Sequence, residues 1–168
     1  MSSNRAPADA PNLDKREFCR ACSRFATGVL VATVLDAAGK PHGMTVNSFT
    51  SVSLAPPLVL FCVAHTASIL RYFRENRHFG INVLTETQRH LSEHFARKGV
   101  GRFEASEWYP GQTGVPLIPD VLATLECHRV RIETAGDHDI LFGEVLHTRM
   151  YPGKPLIFFD SAYHKLER

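Results

Sequence analysis

The segment HGMTVNSFTSVSLAPPLVLFCVA, residues 42–64, decides the fold. Its first half packs Thr45, Asn47, Ser48, Thr50, Ser51 and Ser53 into one strand-like stretch without a charge. Hydroxyls and an amide supply donors and acceptors, which suit a neutral, polyfunctional ligand better than a metal or a charged substrate. A polar strand edge facing water has the same composition, and the stretch alone leaves both readings open. Pro56 and Pro57 interrupt the chain. LVLFCVA, residues 58–64, then reads as a buried strand running into His65-Thr66-Ala67-Ser68 and a helix from about Ala67 to Asn76. Small hydroxyl residues at that point either cap the helix or meet a phosphate at its start.

Working outward toward the N-terminus, Gly28–Leu35 is apolar and β-branched, and the AAGK turn at 37–40 joins it to the strand from about His42 in a hairpin. Asp14 and Glu17 have capping-box spacing and open a helix to about Phe25. Phe18, Cys22 and Phe25 fall on one face of it, which predicts a buried side. Residues 1–12 read as a flexible tail, leaving 13–168 as one domain.

Toward the C-terminus, HFGINVL (78–84) reads as a strand, and Thr85 with Gln88 starts a helix to about Lys98 with Leu91 and Phe95 inward. Residues 99–120 hold four Gly and three Pro, and read as a long irregular loop, a candidate lid or interface segment. Strands at about 122–134 and 138–149 flank Ala-Gly-Asp. The first slips phase between Cys127 and Val130, which predicts a β-bulge near His128–Arg129. A last strand covers about 155–160. Hairpin-joined strands with helices only at crossings predict an antiparallel closed barrel.

Composition bounds the function. The chain has 168 residues, 44% hydrophobic, enough for one core. Nineteen basic against seventeen acidic residues argue against a dedicated nucleic-acid protein. The longest apolar run, Leu58–Ala64, is far short of the ~20 residues of a spanning helix. With no secretory signal at the start, the expectation is a cytoplasmic protein without a membrane partner. Cys19 and Cys22 form a single C-x-x-C with no second pair, which argues against zinc. No G-x-G-x-x-G follows a strand, so a nicotinamide cofactor would not be held by a Rossmann fold. Arg97 and Lys98 are either solvated cations at a helix end or phosphate partners. His138 sits in a Gly136-Asp137-His138 turn, of interest only if that turn overhangs a ligand.

Taken in order, RFATGVLVAT (24–33), HGMTVNSFTSVSLAPPLVLFCV (42–63), FGINVL (79–84), HFARK (94–98), GDH (136–138), FGEV (142–145) and PLIFFDSAYHKL (155–166) resemble the flavin reductase family with the FMN-binding split-barrel fold. These are the small reductase components of two-component flavin-dependent monooxygenases. The resemblance implies a mainly β homodimer, each chain an antiparallel six-stranded split β-barrel with a few short helices. It implies that Met44, Thr45, Val46, Asn47 and Ser48 hold the isoalloxazine and ribityl portions of FMN or FAD. Cys62, Val63 and Ala64 would line the ring, with Thr66 and Ser68 near the phosphate and Phe95, Arg97 and Lys98 at the flavin tail. His138 would position the nicotinamide without acting as acid or base, with Phe159, Asp160, Ser161 and Tyr163 on the nucleotide side. Many members carry a basic residue, then a basic residue or glycine, where this chain has Asp160 and Ser161, so NADH is expected over NADPH. The implied reaction is hydride transfer from NADH to FMN or FAD, supplying reduced flavin to a partner monooxygenase. The rival readings are a flavoprotein that keeps its flavin and reduces another acceptor, and a non-catalytic flavin-binding module.

Overall fold

The computed structural model describes residues 13–97, 103 and 107–166. In chain order the elements are α1 (Lys15–Ser23), β1 (Thr27–Gly28), β2 (Leu30–Leu35), β3 (Pro41–Val46), β4 (Thr50–Leu54), β5 (Pro57–Ala64), α2 (Leu70–Glu75), β6 (His78–Val83), a 3-10 turn (Glu86–Gln88), α3 (Arg89–Ala96), β7 (Tyr109–Pro110), β8 (Pro116–Leu117), β9 (Ala123–Ala135), β10 (His138–Met150), β11 (Leu156–Phe159) and β12 (Ala162–Lys165).

Strict alternation in β5 puts Val59, Phe61 and Val63 on a buried face. β2 is buried through Leu30–Val34, because it lies between β3 and β6 with a core on each side. The main sheet runs β3-β2-β6-β9-β10-β5-β4, entirely antiparallel. A smaller sheet, β1-β11-β12, flanks it. The split-barrel architecture is the expected one. Its ladder counts seven strands, not six, and is open between the outer strands β3 and β4 instead of closed.

Inside the curve of the main sheet, Phe61, Phe73 and Phe79 meet edge-to-face with centroids 5.3–6.3 Å apart. Val34, Val63, Ile81 and Leu141 complete this core. A second core, with Val29, Val31, Leu84, Phe95, Ile118 and Leu156, sits on the other face of β2.

Several expectations change in detail. The strand expected over 28–35 breaks at Val29, whose carbonyl takes the Leu84 N–H, so β1 and β2 join different sheets. The hydroxyl-rich stretch is likewise two strands, β3 and β4, parted at 47–49. The bulge lies at Val130, one residue past the expected place: Arg131 faces Phe142 and Arg129 faces Gly143. A second shift on β10 skips Leu146. Within the expected irregular loop, β7 and β8 form a short hairpin; residues 98–102 and 104–106 lie outside the described part, as does the 1–12 tail. Leu156–Phe159 is followed by a further strand, β12. The Thr85–Gln88 capping box is present as read, though a 3-10 turn precedes α3.

Helix α1 departs most. Asp14 caps it through Arg16 N–H, yet α1 buries no residue: Phe18 and Phe25 are 56% and 78% exposed and Cys22 is exposed. Its apolar spacing is real, but among the described residues none of its side chains is buried, so the expected core role of Cys22 is corrected.

Candidate functional site

Thr45 on β3 stands between two adjoining clefts. The first, about 260 Å³, is lined by Val29, Thr45, Asn47, Ser92, Ala96, Phe158 and Tyr163. The second, about 310 Å³, is lined by Met44, Thr45, Ala64, Thr66, Ala67, Ser68, Ile69, Phe95 and Ala96. Among the described residues, none that lines either cleft carries a charge.

Close packing of α3 against β3 builds this pair. A Cβ on Gly43 would lie 2.9 Å from the Phe95 ring, so glycine is what lets the ring lie against β3. Thr45 Oγ1 donates to the Ser92 carbonyl at 2.6 Å, pinning strand to helix. The Ser92 hydroxyl meets the Tyr163 hydroxyl at 2.8 Å, joining α3 to β12 across the first cleft. Arg89 lies over the Tyr163 ring at 5.1 Å and pairs with Glu93, and it is not itself one of the lining residues.

Ser48 has a different task from the one expected of its hydroxyl. Beyond Leu60, β5 has no ladder partner on its β4 side. There Ser48 Oγ accepts the Cys62 N–H at 3.0 Å and points back toward the Cys62 carbonyl at 3.4 Å. It closes an open sheet edge. The side chains of Val46 and Val63 belong to the core, which leaves their backbone to face a ligand. Thr66 and Ser68 do not cap α2, whose N-cap is Ile69 without a side-chain bond; they line the second cleft instead. Arg97 is exposed at the end of α3 and is not among the lining residues, and Lys98 lies outside the described residues.

The turn bearing His138 abuts this region. Gly136 has φ +61°, a left-handed conformation that suits glycine. His138 opens β10, opposite Ala64 on β5 and Ala135 on β9, and the Asp137 carbonyl accepts the His65 N–H at 2.9 Å. The Asp137 carboxylate is exposed and turns to its chain neighbour. It meets His138 Nδ1 at 2.7 Å, and that bond holds the Asp137 carboxyl below its ordinary value.

At the nucleotide end of the resemblance, Asp160 and Ser161 have φ of 50° and 62°. Two successive left-handed residues are the signature of a tight type I′ hairpin turn, and Asp tolerates that region well. The Asp160 carboxylate pairs with Arg24 at 3.0 Å, and its N–H donates to the Ser23 carbonyl. Asp160 is therefore not the unpaired negative charge that the sequence suggested. Arg24 also lies over the Phe159 ring at 5.4 Å.

Val29, Ser92, Ala96 and Phe158 line the first cleft without having been singled out in the sequence. Ser92 and Ala96 are small residues one turn apart beside the buried Phe95, a spacing that marks a helix face with room against it. Among the described residues no group of three or more His, Cys, Asp or Glu is placed to hold a metal.

Residues 22–167 match the flavin reductase like domain. The chain is 44% identical over 155 residues to an NADH-linked FMN reductase of Agrobacterium fabrum, covering 92% of this chain and 88% of that one. It is 42% identical to the reductase component of a flavin-dependent trigonelline monooxygenase of Acinetobacter baylyi, covering 88% of this chain but only 48% of that longer one. Among solved structures, an NADH:FAD oxidoreductase of Streptomyces globisporus, in complex with NAD and FAD fragments, superposes with a TM-score of 0.87 at 37% identity, over 92% of this chain and 93% of that one.

Proposed function

The chain belongs to the flavin reductase like family, and on that premise we propose that the two clefts flanking Thr45 are its flavin site. The protein is an NADH-dependent reductase of FMN or FAD. The observation that carries the site assignment is the neutral lining, among the described residues, of both clefts around the end of β3 and Asn47, with the His138 turn beside Ala64. Small and hydroxyl side chains fit a flat ring system with a polar tail. When bound, the flavin supplies the ring that accepts a hydride from NADH.

The chain's own groups orient and shield. The Thr45 hydroxyl hydrogen is committed to Ser92, so toward the clefts its oxygen is an acceptor. Asn47, exposed at the lip, keeps both donor and acceptor. Thr66 and Ser68 offer hydroxyls to the phosphate side. Phe95 and Phe158 give apolar wall area that excludes water. His138, braced by Asp137, contacts the nicotinamide side, where Phe159 and Tyr163 contribute rings. The hydride carries its own electron pair, so the hydride step itself calls for no general base from the lining.

Reduced flavin passes to a partner monooxygenase, in keeping with the reductase components this chain resembles, and a neutral site with few clamps suits release. The chain works as a homodimer; Phe18, Phe25, Leu54 (94% exposed) and Met150 (84% exposed) are apolar surface for a second copy to cover. NADH use and four free thiols fit the cytoplasm.

Steady-state NADH oxidation with riboflavin, FMN and FAD in turn tests the function. Flavin-dependent oxidation of NADH is expected. No acceleration by any of the three overturns it. Light scattering that gives a stable, fully active monomer overturns the dimer.

A further inference from the structure

Asp139, the second residue of β10, has a side chain only 1% exposed. It lies opposite Val63 on β5 and Thr134 on β9. Its Oδ2 accepts two bonds from Arg74 on α2, from Nε at 2.9 Å and Nη2 at 2.7 Å. Its Oδ1 accepts from Thr134 Oγ1 at 3.0 Å and lies 2.9 Å from His65 Nε2. Burial pushes this carboxyl up, but the bonds from Arg74, His65 and Thr134 outweigh it and hold it below its ordinary value. One buried carboxylate thus gathers β9, α2 and the turn after β5.

The turn has no strand pairing of its own and rests on a few bonds. Residues 65–69 belong to no ladder. They are held by the His65 N–H to the Asp137 carbonyl, the Ala67 N–H to the Ala64 carbonyl, the Leu70 N–H to the Ala67 carbonyl, the packing of Ala67 on the core and the buried Ile69 at one end. Thr66 and Ser68, which form part of the second cleft, hang between those points and are exposed. His138 differs, because β5 and β9 pair with it from both sides whatever Asp139 does.

We infer that Asp139 is a positioning residue for the flavin: through His65 and Arg74 it fixes the 65–69 turn, and so the Thr66 and Ser68 hydroxyls, at the cleft. The inference rests on the flavin reading above. It assigns Asp139 to the flavin side of the site alone, although Asp139 is the chain neighbour of His138.

The test compares the parent with His65→Ala, His65→Gln and Asp139→Asn. FMN affinity is read by quenching of FMN fluorescence without NADH, and the NADH KM and kcat at saturating FMN. Melting temperature is followed alongside. His65→Ala removes a partly exposed side chain, so it folds even if Asp139→Asn does not. His65→Ala and Asp139→Asn are expected to weaken FMN binding about tenfold, the size of one charge-assisted bond. The kcat and the NADH KM stay within about twofold. His65→Gln, whose amide can still donate to Asp139, recovers most of the affinity. A purely structural role lowers the melting temperature and leaves FMN affinity per folded molecule unchanged, which overturns the inference. So does a loss shared equally between FMN and NADH. A parent that neither quenches FMN nor oxidises NADH fails the flavin reading itself, whereas a competent parent with an unaltered His65→Ala variant fails only this step.

Discussion

Asp139 and Glu126 are two buried carboxylates on one hairpin, and they are satisfied in opposite ways. Asp139 lies beside the β9–β10 turn and takes side-chain donors from three separate elements. Glu126 lies near the other end, on β9, and is 5% exposed. It takes the N–H groups of Gln112 and Thr113 at 3.0 and 2.7 Å and the Thr113 hydroxyl at 2.7 Å, all from one short loop. Burial pushes the Glu126 carboxyl up, and the bonds from Thr113 and Gln112 more than reverse it. A carboxylate that collects the backbone of a single loop makes that loop part of the fold. A carboxylate that collects side chains from three elements ties their positions together, and here one of them borders the clefts.

The largest effect therefore belongs to Glu126 and should appear in stability alone. Glu126→Ala leaves two backbone donors and a hydroxyl without their acceptor, and about 3 kcal/mol of stability should go with them. For a domain of this length that corresponds to a melting temperature lower by about 6–12 °C. FMN and NADH parameters of the folded fraction should stay within about twofold. Gly111→Ala probes the same cradle from the loop side, since a Cβ there would lie 2.5 Å from the Glu126 carboxyl carbon. A Glu126→Ala protein that melts like the parent would break the contrast with Asp139.

Both carboxyls are held below their ordinary range in the folded state. An unfolded chain binds more protons than the folded one between the folded and the ordinary values, so stability rises with pH there. The contribution is complete above about pH 5 and is lost as pH falls through the folded values. Urea midpoints measured from about pH 6 to pH 3 should fall, with a shallower slope in Glu126→Gln. A slope of opposite sign would mean that burial dominates both sites.

A three- to tenfold effect is expected where a carboxylate acts on one neighbour only. Asp137 braces His138, whose side chain is 45% exposed and, among the described residues, makes no other side-chain hydrogen bond. His138→Ala should lower kcat/KM for NADH by about three- to tenfold, mostly through KM, with FMN affinity little altered. This is the mirror image of the His65→Ala result, so the two variants together separate the two sides of the site. Unchanged NADH kinetics would make His138 a solvated turn residue.

These contrasts show what a sequence can disclose. Local patterns were readable. The alternation of LVLFCVA marked the core face of β5, the phase slip in β9 located a bulge to within a residue or two, and Thr85 with Gln88 marked a helix start. The neutral hydroxyl stretch pointed to β3, the strand whose Thr45 lines both clefts. It could not say which hydroxyls the fold would use, because Thr45 reaches Ser92, 47 residues on, and Ser48 reaches Cys62, 14 residues on. Asp139 was invisible for the same reason, with His65 and Arg74 lying 74 and 65 residues before it. Helix α1 failed in the other direction. Its spacing forecast a buried face, but spacing does not say whether the covering partner lies in the same chain.

The smallest effect belongs to a fourth carboxylate, Asp160, which is exposed and has one exposed partner. Read from sequence, its charge opposes the extra phosphate of NADPH. In the structure Arg24 lies against it at 3.0 Å, with side chains 64% and 56% exposed, so the local charge is balanced and well screened by solvent. Asp160→Asn keeps a residue that tolerates the left-handed turn, removes the charge and leaves Arg24 free to meet a phosphate. The ratio of kcat/KM for NADPH to that for NADH should rise by about threefold or less. Asp160→Arg is a poorer probe, because it sets two guanidinium groups together and places a long side chain at φ 50°. A tenfold or greater rise in Asp160→Asn would mean that Arg24 leaves Asp160 when the nucleotide binds. This surface pair would then act on the ligand as Asp139 is inferred to, and burial would no longer separate the carboxylates that shape binding from those that do not.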